Sequence, residues 1–229
     1  MPDEADVVFL DVDQTLLDKD SDVSWKRFLV AKGLAPASDL EEANRYWELY
    51  RANALPEEEF LAFQLRQFVG RTRADMEALG QRHYEECLAD HICPQAQRVI
   101  EDARRRGAPT AVISATNRVI IDPVARAAGV DDALVTELEV RDGRYTGRIA
   151  GAYCVKERKV ARAQEYCRSK GLTLERAAYF GDSTADIPLL EAVGFSTAVN
   201  PDEDLLAHAN ARGWRVEKWG AGRDESTNG

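Results

Sequence analysis

The chain has 229 residues, with 40 acidic against 30 basic side chains and a formal net charge of −10. An acidic chain lacks the clustered Lys and Arg that displace counterions from a phosphate backbone, so nucleic acid is not expected as a partner. No uncharged stretch reaches the roughly 18–20 residues of a membrane helix, the start Met1-Pro2-Asp3-Glu4 is unlike a secretory leader, and a soluble cytoplasmic protein without membrane contacts is expected.

In chain order, Val7-Val8-Phe9-Leu10 is a short apolar run without alternation, which predicts a strand buried on both faces. About 100 residues separate it from the next such run, at 110–113, where a βαβ crossover needs about 30 in all. The excess predicts helices. Ser38-Asp39-Leu40-Glu41 has the form of a capping box ahead of Ala43, Trp47 and Tyr50. Pro56 stands ahead of Phe60, Phe63, Leu65 and Phe68, and Thr72 suits the cap of a helix carrying Met76, Leu79, His83 and Cys87. Residues 21–90 are therefore expected to form a helical insert over the C-terminal end of the first strand.

Further on, 94–106, 119–128, 157–170 and 187–193 predict helices, followed by Gly107, Gly129, Gly171 and Gly194, each suited to a left-handed cap. The runs at 177–180 and 196–199 predict buried strands, and 134–140 with 145–149 around Asp142-Gly143 predicts a hairpin. Strand and helix alternating with glycine punctuation specify an α/β fold: a doubly wound, Rossmann-like parallel sheet with a helical cap inserted after the first strand. Residues 1–20 and 91–219 would form the core, 21–90 the cap, and 220–229 a disordered tail.

In open α/β sheets, ligands bind beyond the carboxyl ends of the strands. There the sequence places acids: Asp11-Val12-Asp13-Gln14-Thr15 after the first strand, and Gly181-Asp182-Ser183-Thr184-Ala185-Asp186 after the run at 177–180. Two carboxylate pairs meeting in one crevice repel unless a cation lies between them, and all-oxygen ligation favours magnesium. Either pair alone fits turn chemistry or helix capping equally well. Ser114-Ala115-Thr116-Asn117 ends the second strand, where a hydroxyl and the backbone N–H groups of a helix start can hold a phosphate oxygen. A lysine would offset the charge, and both Lys156 and Lys159 qualify by position.

These elements, Asp-x-Asp-x-Thr, a Ser/Thr, a lysine and Gly-Asp-x-x-x-Asp in that order, resemble the four motifs of the haloacid dehalogenase-like superfamily. The helical interval is similar to that of its phosphoserine-phosphatase-like branch, and the resemblance covers roughly residues 7–214. It implies a magnesium-dependent phosphatase acting on a small phosphorylated metabolite. Asp11 would be the nucleophile that forms an aspartyl-phosphate, and Asp13 the general acid and base. Ser114 and Lys159 would bind the phosphoryl oxygens, with Ala115 and Asn117 beside them. Asp11, the Asp13 carbonyl and Asp182 would hold Mg2+, with Asp186 orienting the lysine and Thr15 in support. Cys-x-x-Glu-x-Lys-Val resembles the branch's segment around the lysine and favours Lys159 over Lys156. Ala185 departs from the Asn of many relatives, which removes an amide near the metal.

Asp20, nine residues after Asp11, stands at the offset where that branch places an acid for a substrate ammonium. An amine-bearing ester such as phosphoserine or histidinol phosphate is therefore implied; the plainer reading is a solvated acidic loop with Asp18 and Asp22. Two readings compete with hydrolysis of a phosphate ester. Carbon–halogen cleavage has no use for the second acid, Asp13. A non-catalytic or regulatory phosphate-binding relative would keep the fold without turnover.

Overall fold

The first apolar run forms β1 (Val7–Leu10), and all four of its residues are buried because the strand is central. The structure, a computed structural model, describes residues 4–51 and 54–220, apart from the side chains of Trp47, Tyr50 and Arg51; the tail expected beyond Gly220 lies outside the described residues. One six-stranded parallel sheet runs in the order β3 (Asp132–Thr136), β2 (Thr110–Asn117), β1, β6 (Ala177–Gly181), β7 (Phe195–Val199), β8 (Arg215–Glu217). Val8 and Leu10 face a core shared with Val112, Phe180, Ile100 of α5 (Pro94–Arg105) and Ile120 of α6 (Arg118–Ala128). Val7 and Phe9 face the other core, shared with α7 (Glu157–Ser169), α8 (Ile187–Ala192) and α9 (Glu203–Arg212). Helices thus cover both faces, which is why the run has no polar alternation; each such buried side chain contributes about 1.5–3 kcal/mol.

Between β1 and β2 the chain forms α1 (Ser21–Ala31), α2 (Ser38–Arg51), α3 (Glu57–Leu65) and α4 (Arg73–His83) before α5. Trp25, Phe28, Leu65, Phe68 and Met76 join the first core, whereas Ala43, Tyr46 and Phe63 form a small cluster of their own. An antiparallel hairpin of β4 (Leu138–Arg141) and β5 (Arg144–Ile149) leans on these helices, with Tyr145 edge-on to Phe68 at 5.5 Å. Asp142 and Gly143 both have positive φ, as the tight turn requires. Where α4 meets α6, Pro123 has no N–H for the Val119 carbonyl, and Gly80 packs onto that oxygen so closely that a Cβ would lie 2.2 Å from it.

Three expectations need correction. The segment 134–140 divides, Leu134 to Thr136 joining the main sheet, with Glu137 turned to the Arg118 guanidinium at the break (2.9 Å). Ser38 is already within α2, with Asp39 N bonded to the Pro36 carbonyl; the Asp39 carboxylate instead accepts from Arg66 and from Gln67 Nε2 (2.8 Å). Thr72 does cap α4, accepting from Asp75 N at 3.1 Å. Gly194 is no left-handed cap: a Cβ there would stand 1.9 Å from the Glu175 carbonyl, so it is small because two backbones touch. The second strand does end in Ser114 to Asn117, as expected: β2 runs through to Asn117.

Candidate active site

Register brings the acids together. Leu10 is level with Val112 on one side and with Phe180 on the other, so Asp11, Ser114 and Asp182 emerge at one edge of the sheet. The chain leaves β1 towards β2, while β6 lies on the opposite side, which makes this edge a topological switch point. Asp11 N is tied to the Phe180 carbonyl at 2.8 Å. The turn Val12–Leu16 then folds tightly, with Gln14 left-handed (φ 56°) and its carbonyl accepting from Asn200 Nδ2 at 3.1 Å. That turn returns Asp13 to the same edge, where its carboxylate accepts from Ser21 N (2.7 Å) and Thr116 Oγ1 (3.3 Å).

Lys159 enters from the first turn of α7. Its ammonium lies 2.5 Å from Asp11 Oδ1, 2.7 Å from Asp186 Oδ1 and 3.3 Å from the Tyr179 hydroxyl. Lys156 is exposed and precedes the helix with a positive φ (52°). Asp186 Oδ2 accepts from Asp182 N, Ser183 N and Ser183 Oγ, each at 3.2 Å. One oxygen from each of Asp11, Asp182 and Asp186 lies within 4.8 Å of the others. This grouping takes in Asp186, whereas the Asp13 carboxylate is turned to Ser21 and Thr116.

Around this centre, Ser114 is buried and its Oγ accepts from Thr116 N at 3.1 Å. Asn117 caps α6, its Oδ1 accepting from Val119 N at 3.1 Å, and the Ala115 carbonyl accepts from Thr136 Oγ1 at 2.6 Å. Thr15 is buried, and its hydroxyl has no protein partner among the described residues. Ala185 is buried in the turn between Asp182 and Asp186. Asp20 is half-buried and caps α1, accepting from Val23 N at 2.8 Å, so it is not a solvated loop residue.

Burial pushes the Asp11 carboxyl up to about 8, the Lys159 ammonium opposing and the charges of Asp186 and Asp13 adding. Burial and the charge of Asp20 push Asp13 up to about 7. Asp182 is raised by burial and by the charges of Asp11 and Asp186. Asp186 is held below the usual range although burial opposes its charge, because Lys159, Tyr179 and Ser183 all bind it. Fully ionised, three carboxylates against one ammonium would carry two excess negative charges in a largely buried site, and a divalent cation that prefers oxygen ligands fits that deficit.

Two residues at this edge were not singled out from the sequence. Tyr179 sits inside an apolar strand run, where nothing marks one hydroxyl as functional. Thr116 was in view beside Ser114, but its reach to both Asp13 and Asp22 (3.0 Å) depends on α1 lying over β2. Asp22, named from the sequence with Asp18 and Asp20 as part of an acidic loop, stands instead in the first turn of α1.

A doubly wound sheet that gathers carboxylates and a buried lysine at its switch point defines an α/β enzyme core. The family model of haloacid dehalogenase-like hydrolases matches residues 8–191, and the chain belongs to that family. Over 215 residues it is 33% identical to a histidinol-phosphatase of Neisseria meningitidis, covering 92% of this chain and 97% of that one. A phosphoserine phosphatase of Mycobacterium tuberculosis is 32% identical over 216 residues, 91% of this chain and 69% of its own length. A solved structure of a protein of unknown function from Bordetella pertussis matches with a TM-score of 0.83 at 34% identity, over 92% of this chain and 97% of that one. Among the described residues, no helix is long and apolar enough to cross a membrane.

Proposed function

We propose that the protein is a magnesium-dependent phosphatase that hydrolyses a small-metabolite phosphomonoester through an aspartyl-phosphate on Asp11. The observation that carries this reading is the buried Lys159 ammonium, 2.5 Å from Asp11 Oδ1 beside two further carboxylates. It places a positive charge next to the nucleophilic oxygen, where a phosphoryl oxygen would stand.

In the first displacement Asp11 attacks phosphorus, the ester P–O bond breaks, and Asp13 gives its proton to the leaving alkoxide. In the second, Asp13 takes a proton from water, the water oxygen attacks phosphorus, and inorganic phosphate leaves with Asp11 restored. A carboxyl raised to about 7 is matched to giving and then taking a proton near neutral pH. Ser114 and Lys159 hold the phosphoryl oxygens. Asp11, the Asp13 carbonyl and Asp182 would hold Mg2+, which when bound offsets the charge of nucleophile and phosphate. Asp186, with both oxygens already occupied, serves as the counter-ion of Lys159. Residues 21–90 act as the cap over this edge.

An amine on the substrate would balance Asp20 and Asp22 beside the mouth, and histidinol phosphate and phosphoserine, for which the two relatives are named, both carry one. The test is release of inorganic phosphate from a panel of phosphorylated metabolites, with Mg2+ and with EDTA. Turnover that depends on Mg2+ is expected; no turnover on any ester, or equal turnover in EDTA, refutes the reading.

A further inference from the structure

Tyr179 has no part in the steps above, yet its hydroxyl lies among their charges. The residue is fully buried in the middle of β6, on the face that packs under α7 and α8. Its hydroxyl is 2.5 Å from Asp186 Oδ1 and 3.3 Å from Lys159 Nζ. An ammonium has only protons to give and a carboxylate only lone pairs, so the directions are fixed. Lys159 donates to the phenolic oxygen, and the phenol donates to Asp186.

The geometry points to Tyr179 as a positioning residue that fixes the Lys159 ammonium beside Asp11; this rests on the phosphatase reading and deepens it. Lysine has three N–H bonds, and Asp11, Asp186 and Tyr179 each accept one. When a phosphoryl oxygen arrives, it must take over the N–H now directed at Asp11 Oδ1, which frees that oxygen to attack. The ammonium keeps its place during this exchange only through its other two bonds, and Tyr179 is one of them. With the hydroxyl removed, the ammonium is drawn into line between the two carboxylates and Asp11 stays covered.

Packing alone does not ask for this hydroxyl. On this face the residue belongs to an apolar core with Phe9, its partner across the sheet, and Leu189, surroundings that a phenylalanine would satisfy equally. Burying a hydroxyl among them is costly unless it is bonded, and both of its bonds run to the lysine pair.

The experiment uses Tyr179→Phe in the full-length protein with p-nitrophenyl phosphate and Mg2+. The second readout is the 1H–15N spectrum of the lysine ammonium groups in metal-free protein, where the Lys159 signal is identified by its loss in Lys159→Arg. A kcat lower by about tenfold, with KM and thermal midpoint little changed and the Lys159 signal shifted or broadened, is the expected result. An unchanged kcat overturns the proposal, and so does a lower kcat with an unchanged Lys159 signal, since the loss would then be structural. Should the variant not fold, metal-free wild type decides: a slowly exchanging hydroxyl proton of Tyr179 supports the triangle, and its absence overturns it. A wild-type protein without phosphatase activity refutes the proposed function, while the spectra still decide the role of Tyr179.

Discussion

The Thr116 hydroxyl, near the end of β2, lies 3.0 Å from the Asp22 carboxylate in the first turn of α1. This contact joins the sheet edge to the first inserted helix and turns a second acid towards Asp13. Burial and the charge of Asp13 raise Asp22 to about 7, while burial and the charge of Asp22 raise Asp20 to about 6. A cationic group on the substrate would let both ionise. The test compares kcat/KM for an amine-bearing phosphate ester and its deaminated analogue. A charged link desolvated under the helices contributes on the order of 2–4 kcal/mol, so the amine should be preferred by more than about tenfold. Asp20→Asn keeps a good N-cap while removing the charge, and with Asp22→Asn it should narrow the preference. Equal treatment of the two esters by wild type ends the amine hypothesis.

Asp11→Asn should abolish Mg2+-dependent turnover without loss of fold. The amide is nearly isosteric but offers no anionic oxygen to phosphorus, and it leaves Lys159 its partner Asp186 at 2.7 Å. Circular dichroism and phosphate release check the two halves of the statement. Turnover at the wild-type rate would remove Asp11 from the nucleophile's place.

Asp13→Asn should harm alkyl phosphates far more than aryl phosphates. A phenolate leaves without help, whereas an alkoxide needs the proton that Asp13 supplies in the proposed mechanism. Plotting log kcat against leaving-group pKa should give a steeper negative slope for the variant than for wild type. Parallel lines would mean that the proton comes from elsewhere.

Most of the sheet was legible because its centre is dry on both faces: unbroken runs such as Val7 to Leu10 and Ala177 to Phe180 have few other uses. Asp11 and Asp182 were legible because strand ends at a switch point are where such a sheet binds ligands. What escaped depends on tertiary placement. Glu137 divides one expected strand by pairing with Arg118, a partner 19 positions away. Ser38 loses its capping role because α2 already runs through it, and Asp39 is needed by Arg66 and Gln67. Gly194 looks like a helix stop, but the Glu175 carbonyl that demands its missing Cβ cannot be read from neighbouring residues.

Mg2+ should stabilise the protein more at pH 8 than at pH 5.5. In metal-free protein Asp11 titrates near 8 against the usual 3.8, so the folded state holds this proton more tightly than the unfolded state. The resulting stability is fully present below 3.8 and is lost as pH rises towards about 8. Asp13, raised to about 7, acts in the same sense. A cation binds the ionised carboxylates, so it restores stability where the protons are absent and must displace them where they are present. Thermal midpoints with and without Mg2+ at the two pH values test this. An equal or larger increment at pH 5.5 would place the cation away from these acids.

Gly80→Ala should destabilise the fold, although alanine is the better helix former by about 1 kcal/mol. The added methyl would sit 2.2 Å from the Val119 carbonyl oxygen, which is backbone and has no rotamer to escape into. That oxygen lacks its usual donor one turn later because Pro123 has no N–H, and the bare Cα of Gly80 is what lets α4 cover it. Parting the two helices would loosen the contact between the insert and the sheet, at a net cost of about 1–3 kcal/mol. Urea unfolding should show a lower midpoint with an unchanged slope. A variant as stable as wild type, or more so, would mean that propensity outweighs the contact and that α4 does not approach α6 this closely.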